Sequence, residues 1–578
     1  MTAGVVDSLW VYPVKGAVGV PVGEVDVLPS TGALHDRSLA IARGDQSVPP
    51  RTTWRPRSAF KQVARDPDMT QVTVTMLRPD VVELRHRAHP DGVRSDQPDE
   101  DQEAVLRQWF GEPGLRLVHA DTTGLWDCVD AELSLLNLAS VRALEGMAGR
   151  ALDPRRFRAN VHLDGLSAFA ELSWVGRRIR LGDCEVEVIR PIQRCRATSA
   201  NPSTGERDVE LPSLLARAVG HPNMGVYARL VEPARLRVGA TVAVGGVDGL
   251  RDEATHTWPR EAEVLETVRE DARTVSLWLR DPYLLPVTAG QHVRVHLPTA
   301  DGGLTWRAYS VSGRRDDRLR ITVRLRGLVS KRLASLASGD RLLVSGPYGA
   351  PAFSREQLPL YLVSAGIGIT PVAAVVQQLV AAADSRPVSV LHVDASKESA
   401  ALWPEVAEHT RRSGGTATLF ETRTAARRPT ARDIVDILPG NAQALVCGST
   451  DFVDMVSRAL QGAGVDAGRI HADPFLSPAT DPPVRRPAPT PGPHPVTYLP
   501  EGTTATWTDA DGTLLELAEH HGIPVPFSCR AGACGTCALD LVRGDVSYLV
   551  DPALPPGSRV LACSAVPTGP VTLKRVSP

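Results

Sequence analysis

Phe527–Leu541, FSCRAGACGTCALDL, with Val560–Val566, VLACSAV, decides how the end of this chain is read. Four residues separate Cys529 from Cys534, two separate Cys534 from Cys537, and Cys563 follows after a longer gap. This is the C-x4-C-x2-C…C spacing of a [2Fe–2S] site: two irons need four thiolates, and three of them come from one tight loop. Gly532 and Gly535 let that loop curl closely and aim N–H groups at the sulfurs. A structural zinc site is the alternative, but zinc usually takes paired C-x2-C knuckles and only one such pair is present. Eight cysteines in 578 residues are too sparse for a disulfide scaffold and suit a reducing compartment.

Upstream of this cluster lies SPATDPPVRRPAPTPGPHP, residues 477–495, a proline-rich stretch that reads as a semi-rigid tether. A softer, polar boundary lies near 246–260. Three blocks result, too long together for one core. Lys plus Arg number 64 and Asp plus Glu 66, for a net charge of −2, so charge argues against nucleic acid or an anionic membrane as the main partner. No apolar run is long enough to span a bilayer and the N-terminus lacks a signal-peptide pattern, so a cytoplasmic location is expected.

The middle block opens with strand-like runs such as LRITVRLR (319–326) and DRLLVSG (340–346). Apolar strands then alternate with helices, as in LPLYLVSAG, VAAVVQQLVAAA and VSVLHVDAS, the pattern of a parallel sheet flanked by helices. In RAYS (307–310), Arg307 suits a flavin phosphate, Tyr309 suits stacking on a flavin ring, and Ser310 closes the motif. The turn Gly327–Ser330, through Gly327, Val329 and the Ser330 hydroxyl, offers donors to the same phosphate. In SAGIGITP (364–371), Gly366 and Gly368 end a strand and clear space for a dinucleotide, and a helix starts at Thr370–Pro371. Cys447 and Gly448, in VCGS, and Phe475, in DPF, complete the set; taken alone, Cys447 reads more readily as a buried core cysteine.

The first block has short β-like runs (EVDVL, TQVTVTML, RIRLGDCEVEVIRP) and helical stretches near 131–150 and 208–219. Cys195 is crowded by Arg190, Arg194 and Arg196, a setting that favours a metal-binding thiolate, although an incidental structural cysteine is the plain alternative.

These motifs carry resemblances. The third block resembles plant-type ferredoxin domains, which implies a β-grasp fold. The middle block is similar to the ferredoxin–NADP reductase superfamily, where Cys447 and Gly448 would lie beside the nicotinamide. A reductase block followed by a ferredoxin block resembles phthalate dioxygenase reductase, whose group uses FMN, while the GLVS turn also resembles FAD-binding relatives, so FMN or FAD remains open. Ala395, Ser396 and Lys397 stand where relatives that prefer NADPH often carry Arg, which leans toward NADH between NADH and NADPH. In the first block VYPVKG, LHDRSLAI, FRANVHLDG, RC…NPSTG and MGVYARL follow one another as in MOSC-domain molybdenum enzymes, most like the mitochondrial amidoxime-reducing component. That resemblance implies Cys195 as a molybdenum ligand and catalytic residue. It also implies Lys15, Arg37, Arg158 and Asn160 as binders of the pterin cofactor, with Asn137 and Ser140 as weaker candidates at a helix start. Gly16 replaces a frequent Ser, and Asn201 a frequent Asp.

The expected fold is multidomain. An α+β MOSC β-barrel domain (1–120 and 121–245) precedes an antiparallel flavin-binding barrel (259–352) and an α/β parallel-sheet NAD(P)-binding domain (353–476). The linker (477–495) and a β-grasp ferredoxin domain (496–578) follow. The expected activity is a self-sufficient reduction of an N-hydroxylated small molecule. Electrons would pass from NAD(P)H through flavin, [2Fe–2S] cluster and molybdenum cofactor with no separate electron-donor protein. The alternative is a reductase component for a separate oxygenase, with the MOSC block as adaptor.

Overall fold

The structure is a computed structural model of the chain. It describes residues 4–44, 48–55, 59–78, 81–121, 123–128, 130–247, 258–281, 287–299, 304–348, 357–475, 492–508, 511–526, 537–548 and 559–575. Contacts separate two compact units, residues 1–249 with 298–305 and 485–578, and residues 250–297 with 306–484.

In the first unit, seven strands close into a ring: β1 (Gly4–Val11), β2 (Leu133–Asn137), β3 (Val161–Asp164), β4 (Arg177–Leu181), β5 (Cys184–Gln193), β6 (Asn223–Leu230) and β7 (Thr241–Val247). Their order is β3-β2-β6-β5-β4-β7-β1, and β1 pairs back onto β3 through Val6↔Leu163 and Leu9↔Val161. The alternation in β5 points Cys184, Val186 and Val188 into the core with Leu133, Leu135, Val226 and Ala228. Helix α1 (Leu138–Ala148) follows β2 directly, and α2 is Leu211–Val219. The helix expected over 131–150 therefore begins late. Leu133–Asn137 is buried on both faces as a strand, and Asn137 then caps α1 by accepting from the Ala139 N–H at 3.0 Å.

In the second unit a closed antiparallel barrel is built from β8 (Arg260–Asp271), β9 (Thr274–Arg280), β10 (His292–Pro298), β11 (Leu304–Arg315), β12 (Arg318–Arg324) and β13 (Arg341–Tyr348), in the order β8-β9-β12-β11-β10-β13. A short helix, α3 (Leu328–Ala334), follows β12. Then comes a fully parallel sheet, β14 (Leu360–Ala365), β15 (Val388–Asp394), β16 (Thr416–Glu421), β17 (Gln443–Gly448) and β18 (Ile470–Pro474), in the order β16-β15-β14-β17-β18. Its central strands are continuous apolar runs because helices cover both faces, among them α4 (Ile369–Ala381) and α5 (Trp403–Arg412). Barrel and sheet are joined by a buried pair, Arg320 with Glu405 at 2.7 Å, and by the Gln377 side chain accepting from the Arg314 N–H at 2.7 Å.

The last block returns to the first unit. It pairs β19 (His494–Leu499), β20 (Thr503–Trp507), β21 (Ala538–Arg543), β22 (Arg559–Leu561) and β23 (Val571–Arg575) in the order β20-β19-β23-β21-β22, with β19 and β23 parallel and helix α6 (Leu514–His520) after the first hairpin. The first strand begins at His494, two residues inside the stretch read as tether; residues 477–491 lie outside the described residues. Among the described residues no helix is long and apolar enough to cross a membrane.

Candidate functional site

The first-block candidates converge on Tyr12. Two guanidiniums pack against its ring, with Arg158 Cζ 4.5 Å and Arg37 Cζ 4.9 Å from the ring centroid. Both arginines hold left-handed backbone, φ +52° and +50°, a conformation that non-glycine residues rarely keep without a tertiary reason. Arg37 pairs with Asp36 at 2.5 Å and donates to the Arg158 carbonyl at 3.0 Å. The Asn160 amide donates to Asp36 at 2.9 Å, and the Tyr12 N–H donates to the same carboxylate oxygen at 2.9 Å. Lys15 is buried and is held by Asp127 at 2.5 Å and the Leu125 carbonyl at 2.8 Å. Arg158 instead donates only to carbonyls, of Ala17 at 2.7 Å and Gly16 at 3.2 Å, and makes no ion pair among the described residues. Gly16 is at φ +86°, and a Cβ there would press within 3.0 Å of the Met69 methyl, so the serine of relatives would be strained here.

Burial sets the electrostatics. It lowers the Arg158 guanidinium to about 10 and pulls Lys15 down, while it pushes the Tyr12 hydroxyl up to about 12. The hollow thus holds cationic charge that the protein leaves unmatched, which fits a doubly charged phosphate such as that of a pterin cofactor. A shallow cleft opens beside it, lined by Tyr12, Arg155, Arg156, Arg158, Ala197 and Ala200 among others. Its floor includes the turn that starts at Cys195, which precedes the 3-10 segment Arg196–Ser199 and is part-exposed. Arg194 braces that turn from behind: Nε donates to the Met224 carbonyl at 2.6 Å and Nη1 to the Phe157 carbonyl at 3.0 Å.

Asn137 and Ser140 are engaged elsewhere. The Asn137 amide donates to Glu171 at 3.0 Å and the Ser140 hydroxyl donates to it at 3.0 Å, so both serve a buried carboxylate rather than the Arg37–Arg158 cluster. Asn201 donates to Asp208 at 3.0 Å, where an aspartate would face a like charge. Tyr12, Asp36, Asp127 and Arg194 were not singled out from sequence as cofactor binders. Tyr12 and Asp36 stand inside the quoted motifs, but nothing local shows that they meet.

In the second unit the glycines have geometric reasons. A Cβ on Gly368 would lie 2.5 Å from the Cys447 carbonyl oxygen, and one on Gly448 would lie 2.9 Å from Phe452. Gly366 is at φ +54°, with Arg324 Nη1 3.0 Å from where its Cβ would be. Thr370 donates to the Ile367 carbonyl at 3.0 Å and braces the start of α4. Cys447 is buried, its thiol pushed well up by burial and by Asp473, its register partner on β18. Burial likewise raises the Asp473 carboxyl to about 6. The Phe475 N–H donates to the Gly448 carbonyl at 2.8 Å, which ties the DPF segment to the VCGS strand.

On the barrel, Tyr309 is half-buried against the core, its hydroxyl raised to about 12 by burial; Arg307 and Ser310 share its strand. The Ser330 hydroxyl is occupied within its own turn: it accepts from the Arg326 and Gly327 N–H groups at 2.9 and 3.0 Å and donates to the Gly327 carbonyl at 2.9 Å. Ser330 therefore shapes the Gly327–Val329 turn, and Arg307 Nη1 donates to the Trp306 carbonyl at 2.6 Å.

Of the cluster cysteines, Cys537 and Cys563 are buried, and the Cys563 N–H donates to the Cys537 sulfur at 3.4 Å. A backbone N–H donated to a cysteine sulfur is the kind of contact that supports an iron–sulfur ligand. Cys529 and Cys534 lie outside the described residues.

Family descriptions match in the same order along the chain. The MOSC domain matches residues 115–243, the oxidoreductase FAD-binding domain 262–353, the oxidoreductase NAD-binding domain 362–458 and the 2Fe-2S iron-sulfur cluster binding domain 497–568. The ferredoxin reductase component of 3-ketosteroid-9-alpha-monooxygenase from Mycolicibacterium smegmatis is 28% identical over 352 residues, covering 55% of this chain and 97% of that protein. The vanillate O-demethylase oxidoreductase of Pseudomonas putida is 29% identical over 286 residues, covering 48% and 84%. The solved structure of phthalate dioxygenase reductase, 21% identical, covers 55% of this chain and 97% of its own at a TM-score of 0.34. The chain is thus a fusion of a MOSC domain with phthalate dioxygenase reductase-like FAD-, NAD- and [2Fe–2S]-binding domains, an NAD(P)H–flavin–[2Fe–2S] electron-transfer reductase.

Proposed function

We propose that the MOSC domain is the terminal acceptor of this reductase and that the whole chain reduces an N-hydroxylated small molecule: R–NHOH + NAD(P)H + H⁺ gives R–NH₂ + NAD(P)⁺ + H₂O. The observation that carries this reading is the buried cationic hollow around Tyr12, which opens beside the Cys195 turn and whose Arg158 has no carboxylate of its own. Lys15, Arg37, Arg158 and Asn160 would hold the phosphate and polar edge of a molybdenum–pterin cofactor, and the Cys195 thiolate would bind its metal. That cofactor, when bound, supplies two-electron removal of oxygen from an N–O bond. The chain's own groups do the rest. Arg194 fixes the Cys195 turn against Phe157 and Met224, and the Tyr12 ring packs against both guanidiniums.

On the reductase side, Arg307 and the Gly327–Val329 turn would hold the flavin phosphate, with Tyr309 against the ring and Ser310 beside it. Gly366, Gly368, Thr370, Cys447, Gly448 and Phe475 would shape the nicotinamide cleft. Cys529, Cys534, Cys537 and Cys563 would hold the cluster. No separate electron-donor protein is needed, and the reducing compartment implied by free thiols points to the cytoplasm.

Replacing Cys195 with Ala tests this. The Cys195→Ala chain is expected to lose NADH-driven reduction of amidoximes and hydroxylamines and to lose molybdenum, while NADH-driven ferricyanide reduction stays at the wild-type rate. Surviving N–O turnover would sink the molybdenum role. One observation favours a second reading: the relatives named above include the reductase component of a monooxygenase. In that case the chain purifies without molybdenum from molybdopterin-making cells and supports a separate hydroxylase.

A further inference from the structure

We propose that Arg194 is a positioning residue whose buried, unneutralised charge raises the reduction potential of the metal held at Cys195 and so favours electron flow onto it from the [2Fe–2S] cluster. The inference rests on the molybdenum role of Cys195 proposed above.

Three arginines crowd Cys195 along the chain, and folding treats them differently. Arg190 pairs with Asp130, and its side chain is 22% exposed. Arg196, equally exposed, lies 3.9 Å from Glu210. A carboxylate and solvent together screen each of these two charges. Arg194 is buried and makes no ion pair among the described residues. Its Nε and Nη1 donate to the Met224 and Phe157 carbonyls, its Cζ lies 5.1 Å from the Phe157 ring centroid, and its Nη2 has no hydrogen-bond partner among the described residues. Carbonyls and a ring occupy its donors but leave its unit charge in place.

That charge has a slot prepared for it. Nη2 lies 2.6 Å from where a Cβ on Gly225 would stand, and Gly225 holds left-handed backbone at φ +74°. Any side chain at 225 would displace the guanidinium, and glycine leaves it room. The Gly225 N–H in turn donates to the buried Glu171 at 3.2 Å. Glu171 also accepts from Asn137 and Ser140, so its oxygens are already engaged and Arg194 is not among their partners. Asn137, Ser140 and Glu171 thus anchor the strand against which Arg194 rests.

Arg194 and Cys195 are adjacent, and Cys195 has extended backbone, φ −107° and ψ 176°, on which successive side chains point apart. One is accordingly buried and the other part-exposed. The guanidinium stands on the buried side of the residue that would bind the metal. A cation there favours the reduced state of the metal, which carries less positive charge, and in an interior less polar than water its influence exceeds that of a surface arginine.

Redox titration of the molybdenum in the intact holoenzyme, followed by electron paramagnetic resonance, tests this. Arg194→Gln removes the charge and keeps a donor. It is expected to lower the midpoint by the equivalent of a tenfold change in the oxidised-to-reduced ratio, about 59 mV for one electron. Arg194→Lys keeps the charge without the planar fork, and its ratio is expected to stay within about twofold of wild type. Should the glutamine variant take up no metal, Arg194→Met, which can pack on the Phe157 ring, is expected to show the same fall. An unshifted midpoint in the uncharged variants overturns the proposal. So does an equal fall in the glutamine and lysine variants, which would assign Arg194 to bracing alone. A wild-type chain that purifies without molybdenum from molybdopterin-making cells overturns the functional reading, and this inference with it.

Discussion

Asp473 shows how one residue near a redox cleft can set a pH dependence. Burial raises its carboxyl to about 6, whereas in the unfolded chain it titrates near 4, at roughly the ordinary value. Between those values the folded state keeps a proton that the unfolded state has lost. Its contribution to stability is therefore complete below pH ~4 and is lost as pH rises through ~6. Asp473→Asn should then stabilise the chain more at pH 8 than at pH 4.5, by up to about 2–3 kcal/mol for a shift of about two units. Thermal unfolding of variant and wild type at the two pH values checks this; an equal gain at both shows that the carboxyl is not the cause. Gly368 makes the complementary point about shape. No property of the letter G says that a Cβ there would come within 2.5 Å of the Cys447 carbonyl oxygen and push the start of α4 away from it.

Among the elements, α6 depends on its first turn. Thr513 accepts from the Glu516 N–H and Glu516 accepts from the Thr513 N–H, a reciprocal cap. Removing the hydroxyl in Thr513→Ala costs about 1 kcal/mol. It also releases the Glu516 carboxylate, so the variant should lose its cluster at a lower temperature, followed by bleaching of the visible iron–sulfur absorbance on heating. Bleaching at the wild-type temperature would show that the cap does not limit the block. Elements were legible to different degrees. The alternating β5 and the mostly apolar β14 and β17 announce themselves by period and by continuous burial. The strand Leu133–Asn137 does not, because LSLLN suits a buried helix as well, and only pairing with β3 and β6 decides.

At the scale of the whole molecule, a break in the proposed relay should show where it falls. Cys563→Ser removes one thiolate of the [2Fe–2S] site. NADH-driven reduction of ferricyanide, which accepts electrons from flavin, should persist within about twofold, while cytochrome c reduction and N–O reduction should both fall at least about tenfold, since the cluster alone carries single electrons onward. Equal loss of all three activities would mean misfolding and not a broken relay. The Arg320–Glu405 pair and the Gln377 contact tie the flavin barrel to the nicotinamide sheet.

The sequence by itself determined the domain order, the cluster spacing and the glycine-marked dinucleotide turn, because these depend on short-range spacing along one backbone. Tertiary structure alone decided that Arg37 and Arg158 both pack on Tyr12, that Arg158 makes no ion pair among the described residues, and that Asn137 and Ser140 serve Glu171. Those facts join residues more than a hundred positions apart, or choose among partners of equal chemistry. Only closure of the ring and the resulting burial make that choice.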